Sequence, residues 1–174
     1  MRRFLLLPAL AAACALPAVG GAATTAVVGK TVLLGPRTRT AGCVRGLRPD
    51  RRCSPGAYSA GLTARVLCSA GFRTSAIRDV GQSLKYRVER EYRLAARHYG
   101  RALEIDHIVP LELGGSNAVA NLFPEASPGY HAKDRLENRL HELVCARRMT
   151  LRAAQRGIAA NWVALYRRVF RSAP

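Results

Sequence analysis

The sequence predicts an α+β fold: two short antiparallel strands and one helix form a small unit that packs against additional N- and C-terminal helices. Three observations carry this. An apolar stretch from Ala102 to Val109 departs from helical spacing and is closed by Pro110. Gly114-Gly115 then forces a turn ahead of a second apolar run, Ala118 to Phe123, which Pro124 is expected to end. Finally, Leu136, Leu140, Leu143 and Val144 return to helical spacing within about 132–146. Two strands and one helix bury little alone, so flanking helices must complete the core.

In chain order, Arg2 and Arg3 precede an apolar run from Phe4 to Val19, interrupted by Pro8 and Pro17, and small residues follow at 20–23. That is the layout of a secretory signal over residues 1–23. The run is short for a bilayer and no second long one follows, so no stable membrane insertion is expected. The mature chain is expected to be secreted or periplasmic. Residues 24–58 read as extended or irregular, with a brief strand near Thr31–Leu34, because Gly35, Pro36, Gly42, Gly46, Pro49 and Pro55 break any helix.

The domain proper is placed at 59–174, with its strand and helix core at about 102–146. A short helix over 63–70 is stopped by Gly71. Ser83 can cap a longer helix with Leu84, Val88, Tyr92, Ala95 and Tyr99 on one stripe, and Gly100 ends it. Its charged residues, Lys85, Arg87, Glu89, Arg90, Glu91 and Arg93, read as a solvated face. Thr150 can cap a last helix in which Ile158, Trp162, Leu165, Tyr166 and Val169 are spaced like core residues.

The chain carries 28 basic and 11 acidic side chains, a net +17, and removing the signal leaves about +15. Almost all the positive charge is arginine, whose planar fork suits phosphate. Coding bias combined with solubility is the bland alternative. From residue 143 onward there are seven arginines and no acid, which reads either as a soluble helix face or as a track for phosphates.

Loss of Cys14 with the signal leaves Cys43, Cys53, Cys68 and Cys145. An even count in an exported chain implies two disulfides, with three pairings open. The pairing taken forward joins Cys68 to Cys145 and Cys43 to Cys53. None of the four forms a C-x-x-C pair, so a zinc knuckle has no support.

Chemistry concentrates at Asp106 and His107, adjacent among Ile105, Ile108 and Val109. A neutral imidazole can deprotonate water, and a carboxylate beside it can hold a divalent cation. Neighbouring strand residues point to opposite faces, so both can border one site only if the strand twists before Pro110. Taken alone, the pair reads better as a structural hydrogen-bonded pair than as a site. His98 and His141 read as structural, and Glu112 and Glu125 as exposed loop acids.

A longer arrangement surrounds the pair. It comprises Glu104-Ile-Asp-His-Ile-Val-Pro110, Leu111-Glu-Leu-Gly-Gly-Ser-Asn117, Asn121-Leu122, and His131-Ala-Lys133 at a helix start. Over about 102–142 the sequence resembles the HNH nuclease family, the ββα-metal or His-Me finger type. Cys53-Ser-Pro-Gly-Ala57 upstream and Ala154-Gln155 through Asn161-Trp162 downstream are similar to exported bacterial HNH-type proteins. The resemblance implies His107 as general base and Asp106 as a first metal ligand. It implies Asn121 as the residue that holds the loop and orients the histidine through a backbone hydrogen bond. His131 is its second ligand, with Glu137 and Asn138 as fallbacks, around one divalent ion, Mg2+. Lys133, Arg135 and Arg139 are its phosphate contacts. Two family features are missing: the paired C-x-x-C zinc clamp, and the Cys-His near the helix start, where this chain has Tyr130-His131.

The function implied is an endonuclease hydrolysing phosphodiester bonds of DNA, with RNA the other candidate. Arginine–phosphate contacts position the backbone without reading bases, so sequence specificity should be low. No protein partner is expected. The alternative is an exported cationic module that binds nucleic acid or an anionic envelope polymer without catalysis.

Overall fold

The computed structural model describes residues 28–94 and 103–171. The expected signal, together with Ala95, His98, Tyr99 and Gly100 of the predicted second helix, lies outside the described residues. The fold is α+β, with two small antiparallel sheets and four helices among the described residues.

The first sheet pairs β1 (Thr31–Leu33) with β2 (Ala57–Ser59), Thr31 opposite Ser59 and Leu33 opposite Ala57. The β1 strand was legible and β2 was not. Three residues show no periodicity, and β2 owes its extended form to distant partners. The Ala57 amide donates to Asn121 Oδ1 at 3.0 Å, and the Ser116 amide donates to the Ala57 carbonyl at 3.1 Å. Gly56 N–H to Ala120 O and Ser54 Oγ–H to Leu122 O stitch the same segment onto the second sheet.

Helix α1 (Ala64–Leu67) is shorter than the spacing predicts, and Thr63 caps it through the Val66 amide. Helix α2 (Gln82–Glu91) starts after Gly81 rather than Ser83 and stops at Tyr92, followed by Arg93 at φ 53°. Its charged side is not fully solvated. Glu89 and Glu91 are buried; Glu91 pairs with Arg37 of the N-terminal segment and, one turn back on its own helix, with Arg87 at 3.6 Å.

The second sheet pairs β3 (Leu103–His107) with β4 (Leu122–Ala126), Leu103 opposite Ala126 and His107 opposite Leu122. Two expectations need correction. Leu111–Leu113 is a 3₁₀ turn rather than continued strand, closed by Gly114 at φ 73°. The second strand also starts four residues later than predicted, after a 3₁₀ turn at Val119–Asn121, and it runs through Pro124 instead of ending there. A two-stranded sheet gives each strand a free edge, where a residue without an N–H is tolerated. The turn between the strands requires its second glycine, since a Cβ at Gly115 would sit 1.8 Å from the Val109 carbonyl oxygen.

Helix α3 (Gly129–Cys145) packs across this sheet and α4 (Leu151–Arg171) packs on α3. Thr150 caps α4 by accepting from the Ala153 amide at 3.1 Å. A kink at Asn161 divides α4, and the Asn161 side chain caps the second half through the Ala164 amide. The core gathers Ile108, Val109, Leu122 and Phe123 under Leu136, Leu140, Ile158 and Trp162. Both disulfides form as expected. Cys43–Cys53 closes a short loop, and Cys68–Cys145 ties the end of α1 to the end of α3. The 77-residue separation of the second is worth about 4 to 5 kcal/mol by loss of unfolded-chain entropy. Such bonds fit an oxidising compartment. No described helix is long and apolar enough to cross a membrane.

Candidate active site

Strand β3 delivers Asp106 and His107 to its C-terminal end, and the strand stops there. Both residues line one polar cleft of about 450 Å³, in company with Arg78, Glu104, Asp134, Glu137 and Asn138. The alternation along the strand does not keep them apart, since both line this cleft at the strand's end.

The imidazole is held by Asn117, with Nε2 3.0 Å from its Oδ1. Asn117 commits its amide nitrogen to the Ile77 carbonyl at 2.7 Å, so its oxygen is what faces the ring. Nε2 therefore carries the proton, and Nδ1 is left with a lone pair. His107 is 2 % exposed. Burial pushes its pKa down to about 4; Asn117 and Asp106 oppose that shift, and the charges of Arg78 and Lys133 assist it. The ring is neutral at neutral pH.

Asn121 is wholly buried and fully bonded. Its Oδ1 accepts from the Ala57 and Val109 amides, and its Nδ2 donates to the Val109 and Ser116 carbonyls, all within 2.8 to 3.0 Å. Its own carbonyl accepts from the Ile108 amide at 2.7 Å. It locks the chain where β3 exits, while the ring itself is oriented by Asn117. Sequence reasoning missed Asn117, although its place ten residues after His107, beyond a glycine turn, returns it towards the strand end.

Lys133 overturns its expected role. A phosphate contact must be exposed, and Lys133 is 1 % exposed. Its ammonium donates to Asp106, to Glu137 and to the His107 carbonyl at 2.7 Å, with Glu125 at 3.9 Å. Burial acts to lower its pKa, but the carboxylates outweigh it and keep the amine charged. For Asp106, burial acts upward and Lys133 more than cancels it, holding the acid below its usual range. Burial pushes Glu125 up to about 9 and Glu137 up to about 8. The cluster thus approaches one ammonium balanced by one carboxylate. Glu125, read as an exposed loop acid, is instead fully buried, with neither carboxyl oxygen hydrogen-bonded.

The remaining expected residues fall around the cleft or away from it. His131 is exposed, its ring against Tyr130 with centroids 4.2 Å apart; it lies near Glu104 and Asp134 but does not line the cleft beside Asp106. The helix residues that do line it are Asp134, Glu137 and Asn138. Arg135 lies over the Tyr166 ring at 5.6 Å, and Arg139 pairs with Glu142 at 2.9 Å. The arginine that lines the cleft is Arg78, for which the sequence offered no signal. His141 sits by the disulfide, 3.3 Å from the Leu67 carbonyl and from Cys145 Sγ. Cys68, His141 and Cys145 have the close spacing of metal ligands, but the disulfide removes both thiolates. Comparison with family models, with curated proteins and with solved structures finds no match.

Proposed function

We propose that the chain is an exported, metal-assisted hydrolase of phosphodiester bonds in nucleic acid, of the HNH type that its ββα unit resembles. The observation that carries this is the opening of Asp106 and His107 into one polar cleft, with the imidazole desolvated and neutral. In this reading Nδ1 of His107 takes a proton from the attacking water, and Asn117 fixes the tautomer that leaves Nδ1 free. Arg78 supplies the cleft's donor to a phosphate oxygen.

The carboxyl and amide oxygens of Asp106, Asp134, Glu137 and Asn138 suit a hard divalent cation such as Mg2+. Such an ion, when bound, stabilises charge growing on the phosphate and the leaving oxygen. Lys133 restrains two of those carboxylates and fixes the strand end against α3. Two disulfides support an exported setting.

A second reading has one observation in its favour: the Lys133 ammonium already bridges Asp106 and Glu137, two of the groups a metal would use. In that reading the cleft is structural and the chain is a cationic nucleic-acid-binding module. Plasmid DNA incubated with the mature chain, with Mg2+ and with a chelator, separates the two. Nicked and linear products that need the metal, and that fall about 100- to 10,000-fold in His107→Ala, are expected of the enzyme. A folded His107→Ala chain cutting at the parental rate, or a parent that never cuts, leaves the binding module.

A further inference from the structure

The loop closed by Cys43–Cys53 holds Arg45, Arg48, Arg51 and Arg52 against one acid, Asp50. Asp50 is already committed. Its Oδ1 accepts from the Arg52 amide at 3.1 Å and lies 3.3 Å from Arg52 Nε, while its Oδ2 accepts from the Val44 amide at 3.1 Å. Arg45, Arg48 and Arg51 are exposed, and among the described residues none of them has a carboxylate partner. Two apolar side chains stand exposed among them, Val44 at 58 % and Leu47 at 54 %.

The loop is braced from several sides. The Trp162 indole donates to the Leu47 carbonyl at 3.0 Å, and the Cys53 and Ser54 amides both donate to the Asp50 carbonyl. Between the loop and the kinked part of α4 lies a recess of about 520 Å³. Arg48, Arg51 and Arg52 line it together with Val44, Leu47 and Ala159, and it shares no residue with the Asp106–His107 cleft.

We propose that this recess is a second nucleic-acid contact, one that takes a nucleotide of a single-stranded segment. The arginine forks receive its phosphate, and the Val44 and Leu47 side chains receive its base and sugar. The recess falls within the range of about 300 to 1,000 Å³ typical of small-ligand sites. Arginine suits phosphate oxygens, and an apolar wall beside it suits a base face without selecting which base. The disulfide and the Asp50 bonds fix the loop beforehand, so little ordering entropy opposes binding. The inference rests on the nucleic-acid reading above and places part of the strand outside the cleft.

The test is fluorescence anisotropy of a labelled single-stranded oligonucleotide with the mature chain, over a series of salt concentrations. Arg48→Ser/Arg51→Ser should weaken binding and reduce the log–log salt slope by about 0.7, the value for one single-strand phosphate contact. Arg65→Ser/Arg90→Ser removes the same charge elsewhere and should move the slope far less. Equal losses in both double variants overturn the site. Leu47→Ser should weaken binding of the normal oligonucleotide more than of an abasic one, and equal weakening overturns the base contact. If dextran sulfate binding depends on Arg48 and Arg51 as strongly, the recess is a general polyanion site and the proposal fails. Plasmid cleavage is scored in parallel. Cleavage with oligonucleotide binding unaffected by Arg48/Arg51 removes the recess alone; binding that needs them in a chain that never cleaves removes the nuclease and keeps the recess.

Discussion

At the end of β3, Glu104, Asp106, Glu112, Asp134 and Glu137 crowd a cleft in which, among the described residues, Arg78 is the one lining cation. In the 43–53 loop the balance reverses, with four arginines facing one aspartate. The net +17 is therefore not a uniform coat. Acids are gathered where a proton and a cation would be handled, beside a buried ammonium that balances one of them. Arginines are gathered where a backbone would be held, on a loop whose only acid is internally bonded. A cation count cannot tell these apart, because Lys133 and Arg48 contribute the same charge and do opposite things. One is a fixed counter-ion with 1 % of its surface exposed, and the other projects into solvent.

The sharpest way to break the contrast is Lys133→Met. If the ammonium is structural, its loss leaves Asp106 buried without its partner, and stability should fall by about 3 to 5 kcal/mol. Urea unfolding followed by circular dichroism reads this directly. Oligonucleotide affinity at a temperature where the variant is folded should stay close to the parent's. A stable variant with weakened binding would mean that Lys133 touches the ligand after all, as the sequence first implied.

Asn117→Ala probes the cleft at smaller cost. Removing the group that holds the imidazole should reduce plasmid cleavage about 10- to 100-fold while binding is retained. Asn117→Asp should recover part of that loss, since a carboxylate oxygen can accept from Nε2. Full activity in Asn117→Ala alongside an inactive His107→Ala would show that the ring is placed by burial alone.

The contrast also marks what a sequence can disclose. The strand, glycine turn, strand and helix order was legible because each piece has a local signal: Gly114 needs its positive φ, Thr150 caps α4, and Leu136 and Leu140 share a helix face. The Lys133–Glu137 pair at i,i+4 emerges only from the structure, where it helps to bury the ammonium expected to contact phosphate. The other partners of Lys133 were not visible, since Asp106 and Glu125 reach it only once α3 packs on the sheet. Strand β2 and the Asn117–Ile77 bond depend likewise on residues tens of positions away. Pro124 misled because a proline ends most strands, yet a two-stranded sheet leaves room for one at its edge.

The last expected effect concerns Glu125, and its sign follows from the direction of its shift. Its pKa is raised from 4.5 to about 9 in the folded chain, chiefly by burial. Folded protein thus keeps a proton that the unfolded chain releases above pH 4.5. Its contribution to stability is full below that value and is lost as pH rises towards 9, at about 1.4 kcal/mol per pH unit. Glu137, raised to about 8, acts in the same sense, so the parent should weaken steadily from pH 6 to pH 8. Glu125→Gln replaces a neutral carboxyl with a neutral amide of similar shape and removes one proton from that linkage. Its urea midpoint should lie near the parent's at pH 6 and above it at pH 8. A parent midpoint that holds or rises over this interval, or a variant that tracks the parent in parallel, would mean that Glu125 is ionised in the fold. The cluster around Lys133 would then carry more negative charge than one ammonium balances, and a second cation beside Asp106 would become the expectation rather than the proposal.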